Sequence, residues 1–272
     1  MIVWVTGASS GLGLYISRAL AEAGHTVIGG ARSFAEGEAD GMHRLPLDVT
    51  DEASIARFAE KALALSPRVD ALVQCAGILM LGSCEETTPE EYRRVLDTDF
   101  LGMVRMNSLA LPLMRKQGGG RVVMLSSING LLGIPYQSAY TAAKHAVEGY
   151  AECLSMETRR FGIQVSLVEP GDHRGGGQKC RLRSSAMTQA SPYMEDYTDT
   201  VAVIAHDEAN GSDPAALGRK VVRLLQRRRM PFRVRIASPD QRLAVWLHDV
   251  LPPRLNETVL RGYYFKKTKG KP

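Results

Sequence analysis

The sequence predicts a doubly wound α/β fold, a parallel sheet with helices on both faces. Two observations carry this. Short apolar runs rich in β-branched residues recur along the chain, and longer amphipathic stretches separate them. A strand covered on both faces loses the in–out alternation of a half-exposed strand and becomes continuously apolar. Strict β–α alternation then implies right-handed crossovers between parallel neighbours. Size agrees, because 272 residues bury a large core, and 44% apolar with 23% charged residues is ordinary for a globular chain. Disordered, collagen-like and coiled-coil proteins are excluded.

The elements follow in order. Strands are expected at Ile2–Thr6, Thr26–Gly29, His43–Pro46, Ala71–Gln74, Arg121–Ser126, Gln164–Val168 and Arg233–Ile236. Helices are expected at Leu12–Ala23, Glu52–Leu65, Pro89–Lys116, Tyr136–Phe161 and Asp213–Arg228. No repeat or linker divides the chain, so residues 1–272 form one domain. The stretch from Asp172 to Ser212 has no clear period and contains Gly175-Gly176-Gly177, which marks it as a substrate-binding loop or lid. Residues 264–272 form a basic tail.

Several classes of protein are set aside. No apolar run approaches the roughly 18 residues of a membrane helix, and the start enters a strand without the features of a signal peptide. Cys75, Cys84, Cys153 and Cys180 are far apart and form no CxxC pair, which fits reduced thiols in the cytoplasm better than disulfides or a zinc site. The formal charge of +5 is unevenly spread: from Arg219 to Pro272 there are 15 basic and 3 acidic residues. With no nucleic-acid motif beside it, that segment is taken as a solvated face and tail rather than a nucleic-acid surface, and docking on an anionic membrane stays open as a less favoured alternative.

After the first strand comes Thr6-Gly7-Ala8-Ser9-Ser10-Gly11-Leu12-Gly13. Strand, glycine-rich turn and helix follow in the order a dinucleotide site requires. Glycines let the backbone approach a pyrophosphate, and the new helix points its free N–H groups at that anion. At the end of the second strand an NAD site would carry a carboxylate for the ribose 2′-hydroxyl. Here Arg32 stands 19 residues past Gly13. A guanidinium pairs with a 2′-phosphate, so NADP(H) is the expected cofactor. Asp48, followed by Val49 after the third strand, receives the adenine amine, caps the next helix, or does both.

Tyr140 and Lys144 stand four apart on one helical face, and Ser127 ends the fifth strand. A phenol is a poor acid–base group at neutral pH unless a cation stabilises its phenolate. Lys144 supplies that cation. Ser127 is placed to donate to a substrate oxygen.

With these residues in order the chain resembles the short-chain dehydrogenase/reductase family. The matching motifs are the glycine turn, Leu47-Asp48-Val49, Cys75-Ala76-Gly77, Ser126-Ser127, Tyr140-Thr141-Ala142-Ala143-Lys144 and Pro170-Gly171. The stretch Leu96–Met106 looks most like the branch containing 17β-hydroxysteroid dehydrogenases. The resemblance implies a seven-stranded Rossmann sheet, with Tyr140 as acid/base, Lys144 on the nicotinamide ribose and Ser127 on the carbonyl. It implies a lipophilic small-molecule ketone or alcohol as substrate. It also implies a homodimer or homotetramer packed through Glu91–Lys116 and Tyr136–Phe161.

Three positions depart from that pattern. Gln74 replaces an Asn that braces the sheet centre. Asp99 stands where the family has a fourth catalytic Asn, and a carboxylate there is expected to pair with Lys144 and raise the tyrosine pKa, or to bind a proton itself. The Thr that usually holds the carboxamide after Pro170-Gly171 is absent, and Asp172-His173-Arg174 follows; backbone groups or His173 take its place, or His173 is a solvated loop residue, the reading preferred here. Met187, Tyr193, Met194, Tyr197, Val201, Val203 and Ile204 either line an apolar pocket or bury the loop against the core. His145, His206 and His248 lack metal-ligand spacing, and Met103, Met106 and Met114 read as core or interface fillers. The departures leave open a non-catalytic NADP(H)-binding sensor or scaffold.

Overall fold

The computed structural model describes residues 1–175 and 180–265. Gly176 and Gly177, and the lysines of the tail (Lys266, Lys267, Lys269, Lys271), lie outside the described residues. The elements run β1 (Ile2–Thr6), α1 (Gly11–Glu22), β2 (Thr26–Ala31), β3 (Gly37–Ala39), β4 (Met42–Pro46), α2 (Glu52–Leu65), β5 (Ala71–Gln74) and β6 (Leu79–Leu81). They continue with α3 (Pro89–Leu96), α4 (Gly102–Lys116), β7 (Gly120–Leu125), α5 (Ser138–Thr158), β8 (Ile163–Pro170) and β9 (Arg181–Arg183). The last are α6 (Met194–Ala209), α7 (Pro214–Gln226), β10 (Arg233–Ile236), α8 (Pro239–Val250) and α9 (Pro253–Tyr264).

The main sheet has the order β10-β8-β7-β5-β1-β2-β4-β3. All neighbours are parallel except β3, which pairs antiparallel with β4. The sheet thus has eight strands rather than the expected seven. The addition is a three-residue edge hairpin, too short and polar to show as an apolar run. A second, two-stranded sheet joins β6 to β9.

Burial explains the continuous apolar strands. On one face Trp4, Ile28, Leu72 and Val122 pack with Ile55 and Phe58 of α2, Met103, Met106 and Met114 of α4, and Val147 of α5. On the other, Val3, Val5, Val27 and Val73 pack with Ile16 and Leu20 of α1 and Leu217 and Val221 of α7. The three methionines of α4 are therefore core. Trp4 meets Phe58 edge-on, with ring centroids 5.5 Å apart.

Elsewhere tertiary structure redraws the expected elements. The Pro89–Lys116 helix is divided by a widened π turn, Asp97–Leu101, which buries Asp99. α5 starts at Ser138 because Tyr136 adopts a left-handed φ of 61°. The Asp172–Ser212 stretch is not irregular throughout but holds β9 and the 16-residue α6. Of its apolar residues, Met187 and Tyr197 are buried with Leu79, Leu81 and Tyr136, and Tyr193, Met194 and Val201 pack on them. These side chains mainly bury the segment against the body. α8 and α9 follow β10, where no element was expected. Tyr264 ends α9 and is buried, so a tail does not begin there.

The sheet centre is polar at one point. Gln74 is fully buried and donates through Nε2 to Asn107 Oδ1 at 2.8 Å, while Asn107 donates to the Tyr150 hydroxyl at 3.3 Å. The longer amide thus braces β5 against α4. Asn107→Ala leaves the Gln74 amide buried without a partner, and urea unfolding is expected to show a loss of about 1–3 kcal/mol.

Candidate active site

The strand order reverses at β1, which has β5 on one side and β2 on the other. In open α/β sheets such a reversal opens a crevice at the carboxyl ends of the strands. The glycine turn fills one wall of it. Gly7 has φ 70°, and a Cβ there would lie 2.7 Å from the Ala76 nitrogen. The Thr6 hydroxyl accepts from the Cys75 and Ala76 amides at 3.2 Å each, which locks the turn to the end of β5. A Cβ on Gly13 would collide with the Gly7 carbonyl. Ser10 caps α1 without a side-chain hydrogen bond, and the first turn carries no acid. The amides and positive end of α1 therefore remain available to an anion. These features fit a dinucleotide pyrophosphate.

Arg32 is exposed directly after β2, and no carboxylate occupies the neighbouring positions 29–31 or 33. Asp48 follows β4 and accepts from the Thr50 amide at 2.9 Å and the Thr50 hydroxyl at 2.7 Å. Burial pushes its carboxyl up, but those hydrogen bonds and the Arg32 charge bring it below the usual range. Asp48 does not cap α2; Asp51 does, accepting from the Ala53 amide.

Ser127, Tyr140 and Lys144 converge below this turn. β7 delivers Ser127, and α5 delivers the other two one turn apart. Lys144 is buried at 4% exposure. Its Nζ donates to the Leu125 carbonyl at 3.1 Å, lies 3.2 Å from Asp99 Oδ2, and sits 5.3 Å from the Tyr140 ring centroid. Asp99 also accepts from the Ile78 amide at 2.7 Å through Oδ1. Burial raises the Asp99 carboxyl despite the ammonium beside it. Burial favours the neutral amine at Lys144, but the adjacent Asp99 and Tyr140 more than offset this and raise its pKa. Burial also raises the Tyr140 phenol; Lys144 and a hydrogen bond with Ser127 work against that, and Asp99 adds to it.

A residue the sequence reading missed holds Ser127. Asn129 Oδ1 accepts from the Ser127 hydroxyl at 3.2 Å, and Asn129 donates to Gln137 Oε1 at 2.9 Å. The signal was present as Ser-x-Asn, but only the fold shows that Gln137, at the start of α5, closes the link.

Beyond Pro170-Gly171 the expected solvated histidine is not found. His173 is 3% exposed, and its Nδ1 hydrogen-bonds the Gly171 carbonyl at 2.8 Å. Burial lowers its pKa. Asp172 is raised to about 6, first by burial and then by Asp207 and Glu208.

One cleft of about 450 Å³ gathers these groups. Its lining includes Gly7, Ser9, Ser10, Gly11, Leu12 and Gly13 of the turn, and Arg32, Asp48 and Val49. It also includes Cys75, Ala76 and Gly77, then Asp99, Ser127, Tyr140, Lys144, Pro170 and Gly171. Every site residue singled out in the sequence therefore faces one space. Ile204 is the sole member of the expected apolar-loop set on this lining; Glu208 joins it from the same stretch, and Arg94 and Tyr264 join it from elements the sequence reading did not connect to it.

Comparison with known proteins agrees with this geometry. The family model described as short chain dehydrogenase matches residues 1–179. A 3-ketodihydrosphingosine reductase of Bacteroides thetaiotaomicron is 36% identical over 263 residues, covering 97% of each chain. Dehydrogenase/reductase SDR family member 7B of Xenopus laevis is 31% identical over 287 residues, covering 99% of this chain and 84% of the relative. The crystal structure of a short-chain dehydrogenase from Streptomyces avermitilis superposes with a TM-score of 0.78 at 32% identity, covering 98% of this chain and 97% of the other. The fold, the glycine turn and the relatives converge: the chain belongs to the short-chain dehydrogenase/reductase family, and it is an oxidoreductase with a nicotinamide-dinucleotide site.

Proposed function

We propose that this protein is an NADP(H)-dependent reductase of a lipophilic ketone, reversible as a secondary-alcohol dehydrogenase. The observation that carries the reading is the convergence of Ser127, Tyr140 and Lys144 in the cleft whose other wall is the glycine turn. When bound, the cofactor supplies the hydride to the carbonyl carbon. Ser127 donates a hydrogen bond to the carbonyl oxygen and holds it against Tyr140. Tyr140 passes its phenolic proton to the developing alkoxide. Lys144 stabilises the phenolate left behind and holds the nicotinamide ribose. Gly7, Ser9–Gly13 and Cys75–Gly77 receive the pyrophosphate and adjoining ribose, Arg32 the 2′-phosphate, Asp48 and Val49 the adenine, and Pro170-Gly171 the nicotinamide side. The lipophilic substrate is supported by Ile78, Leu79, Ile134, Leu182 and Ile204 on the lining, and by the similarity to a 3-ketodihydrosphingosine reductase of Bacteroides thetaiotaomicron. The thiols of Cys75, Cys84 and Cys153 suit a reducing cytoplasm, and assembly as a homodimer or homotetramer through the helices holding Glu91–Lys116 and Tyr136–Phe161 belongs to the same reading.

A second reading, an NADP(H) sensor without turnover, draws on the Asp99–Lys144 ion pair. The ammonium that should stabilise phenolate is shared with a buried carboxylate. A panel of long-chain and cyclic ketones, followed by loss of reduced-nicotinamide absorbance, separates the two. The enzyme turns over at least one ketone, and Tyr140→Phe lowers kcat by on the order of 10²–10⁴. Tight NADPH binding with no turnover on any ketone supports the sensor.

The cofactor preference rests on Arg32. The ratio of kcat/KM for NADPH over NADH is expected to fall at least about tenfold in Arg32→Ala, the worth of one charge-assisted pair with phosphate. An unchanged ratio removes the NADP(H) assignment.

Asp99 sets the pH range. In the oxidative direction Tyr140 acts as base, so the rate rises with pH through the apparent pKa of the coupled group. Asp99 raises the phenol pKa, so Asp99→Asn is expected to move that limb to lower pH. A pH–rate profile that stays in place shows that Asp99 does not tune the proton transfer.

A further inference from the structure

Six large apolar side chains stand exposed on two consecutive helices. Leu243, Trp246 and Val250 of α8 and Leu255, Val259 and Tyr263 of α9 are 39–56% exposed. Elsewhere among the described residues, exposure of large apolar side chains is scattered: Met1 precedes β1, Leu65 ends α2, Leu101 ends the π turn and Met156 lies in α5. The spacing 243, 246, 250 makes one stripe along α8, and 255, 259, 263 makes another along α9. The two helices pack on each other. Their inner faces are satisfied, since Val245 and Tyr264 join Ile128, Leu132, Ile134 and Ile204 in one buried cluster. Tyr264 and Ile204 also line the catalytic cleft. α9 thus contributes Tyr264 to the cleft wall, while α8 and α9 carry apolar side chains on their solvent-facing sides.

We propose that α8 and α9 form a docking face for an anionic phospholipid surface. Two apolar stripes lying in the plane of a bilayer interface suit the headgroup–acyl boundary, and Trp246 and Tyr263 carry the amphipathic rings that favour it. Charge supports this occupant. Arg242, Arg254 and Arg261 balance Asp240, Asp249 and Glu257, and the four lysines that follow α9 give Pro239–Pro272 a net +4. Basic residues next to an apolar interfacial helix add attraction to anionic lipid. No described helix is long and apolar enough to cross a membrane, so the contact is peripheral. The docking does not depend on the reaction proposed above; given that reaction, it would set the cleft wall beside the phase that dissolves the substrate.

The test uses the full chain and needs no turnover. Trp4 is fully buried and Trp246 is 56% exposed, so a change in tryptophan emission on adding vesicles reports on Trp246. The expected result is co-sedimentation with vesicles of phosphatidylglycerol and phosphatidylcholine, a blue shift of emission, and binding that weakens at least about tenfold at high salt. Leu243→Ser combined with Trp246→Ser is expected to lose vesicle binding at least about tenfold with an unchanged far-ultraviolet spectrum. Replacing Lys266, Lys267, Lys269 and Lys271 by Gln is expected to weaken binding to the anionic vesicles by a similar factor. The proposal is overturned if the chain ignores anionic vesicles with unshifted emission. It is equally overturned if sedimentation reveals a dimer that the double variant splits while vesicles go unbound.

Discussion

A buried ammonium organises the half of the cleft that holds Ser127, Tyr140 and Asp99. Lys144 has almost no solvent around it, so its charge must be met by protein groups from three directions. The carbonyl of Leu125 comes from the end of a central strand, the carboxylate of Asp99 from the widened helical turn, and the aromatic face of Tyr140 from the preceding turn of α5. Each partner holds its element in register with the others. The amine assigned to the phenol in the proposed reaction therefore also ties sheet, π turn and helix together.

Asp99 complicates this arrangement. A carboxylate beside the lysine removes much of the cost of burying that charge, yet it competes with the phenolate for the same cation. The Ile78 amide and the close backbone at Gly77 fix it there. A π turn supplies the position: the widened turn divides what is otherwise one amphipathic helix and turns residue 99 inward, as such turns often do at functional sites.

The cofactor half depends on close backbone contact rather than on charge. Gly7 and Gly13 leave no room for side chains between the first turn and the end of β5, and α1 leaves its first amides free. Charge enters at the rim, where Arg32 and Asp48 share an electrostatic environment. At the sheet centre Gln74 takes over bracing through Asn107, so the departure from the family's asparagine is absorbed within the core.

The meeting of Ser127, Tyr140 and Lys144, the glycine turn and the place of Arg32 were legible in the sequence because each depends on local order: a strand end, a tight turn, an i,i+4 pair. The parallel core was legible for a similar reason, since strands buried on both faces carry an unmistakable apolar run. Other features were decided only in three dimensions. The edge strand β3 is too short to show periodicity. His173 becomes buried through packing contributed by distant segments. The Asn129–Gln137 link to Ser127 joins residues that share no pattern. The apolar stripes of α8 and α9 are the clearest case, because a stripe that faces solvent and one that faces the core look alike along the chain. Only the packed body determines which face is already covered.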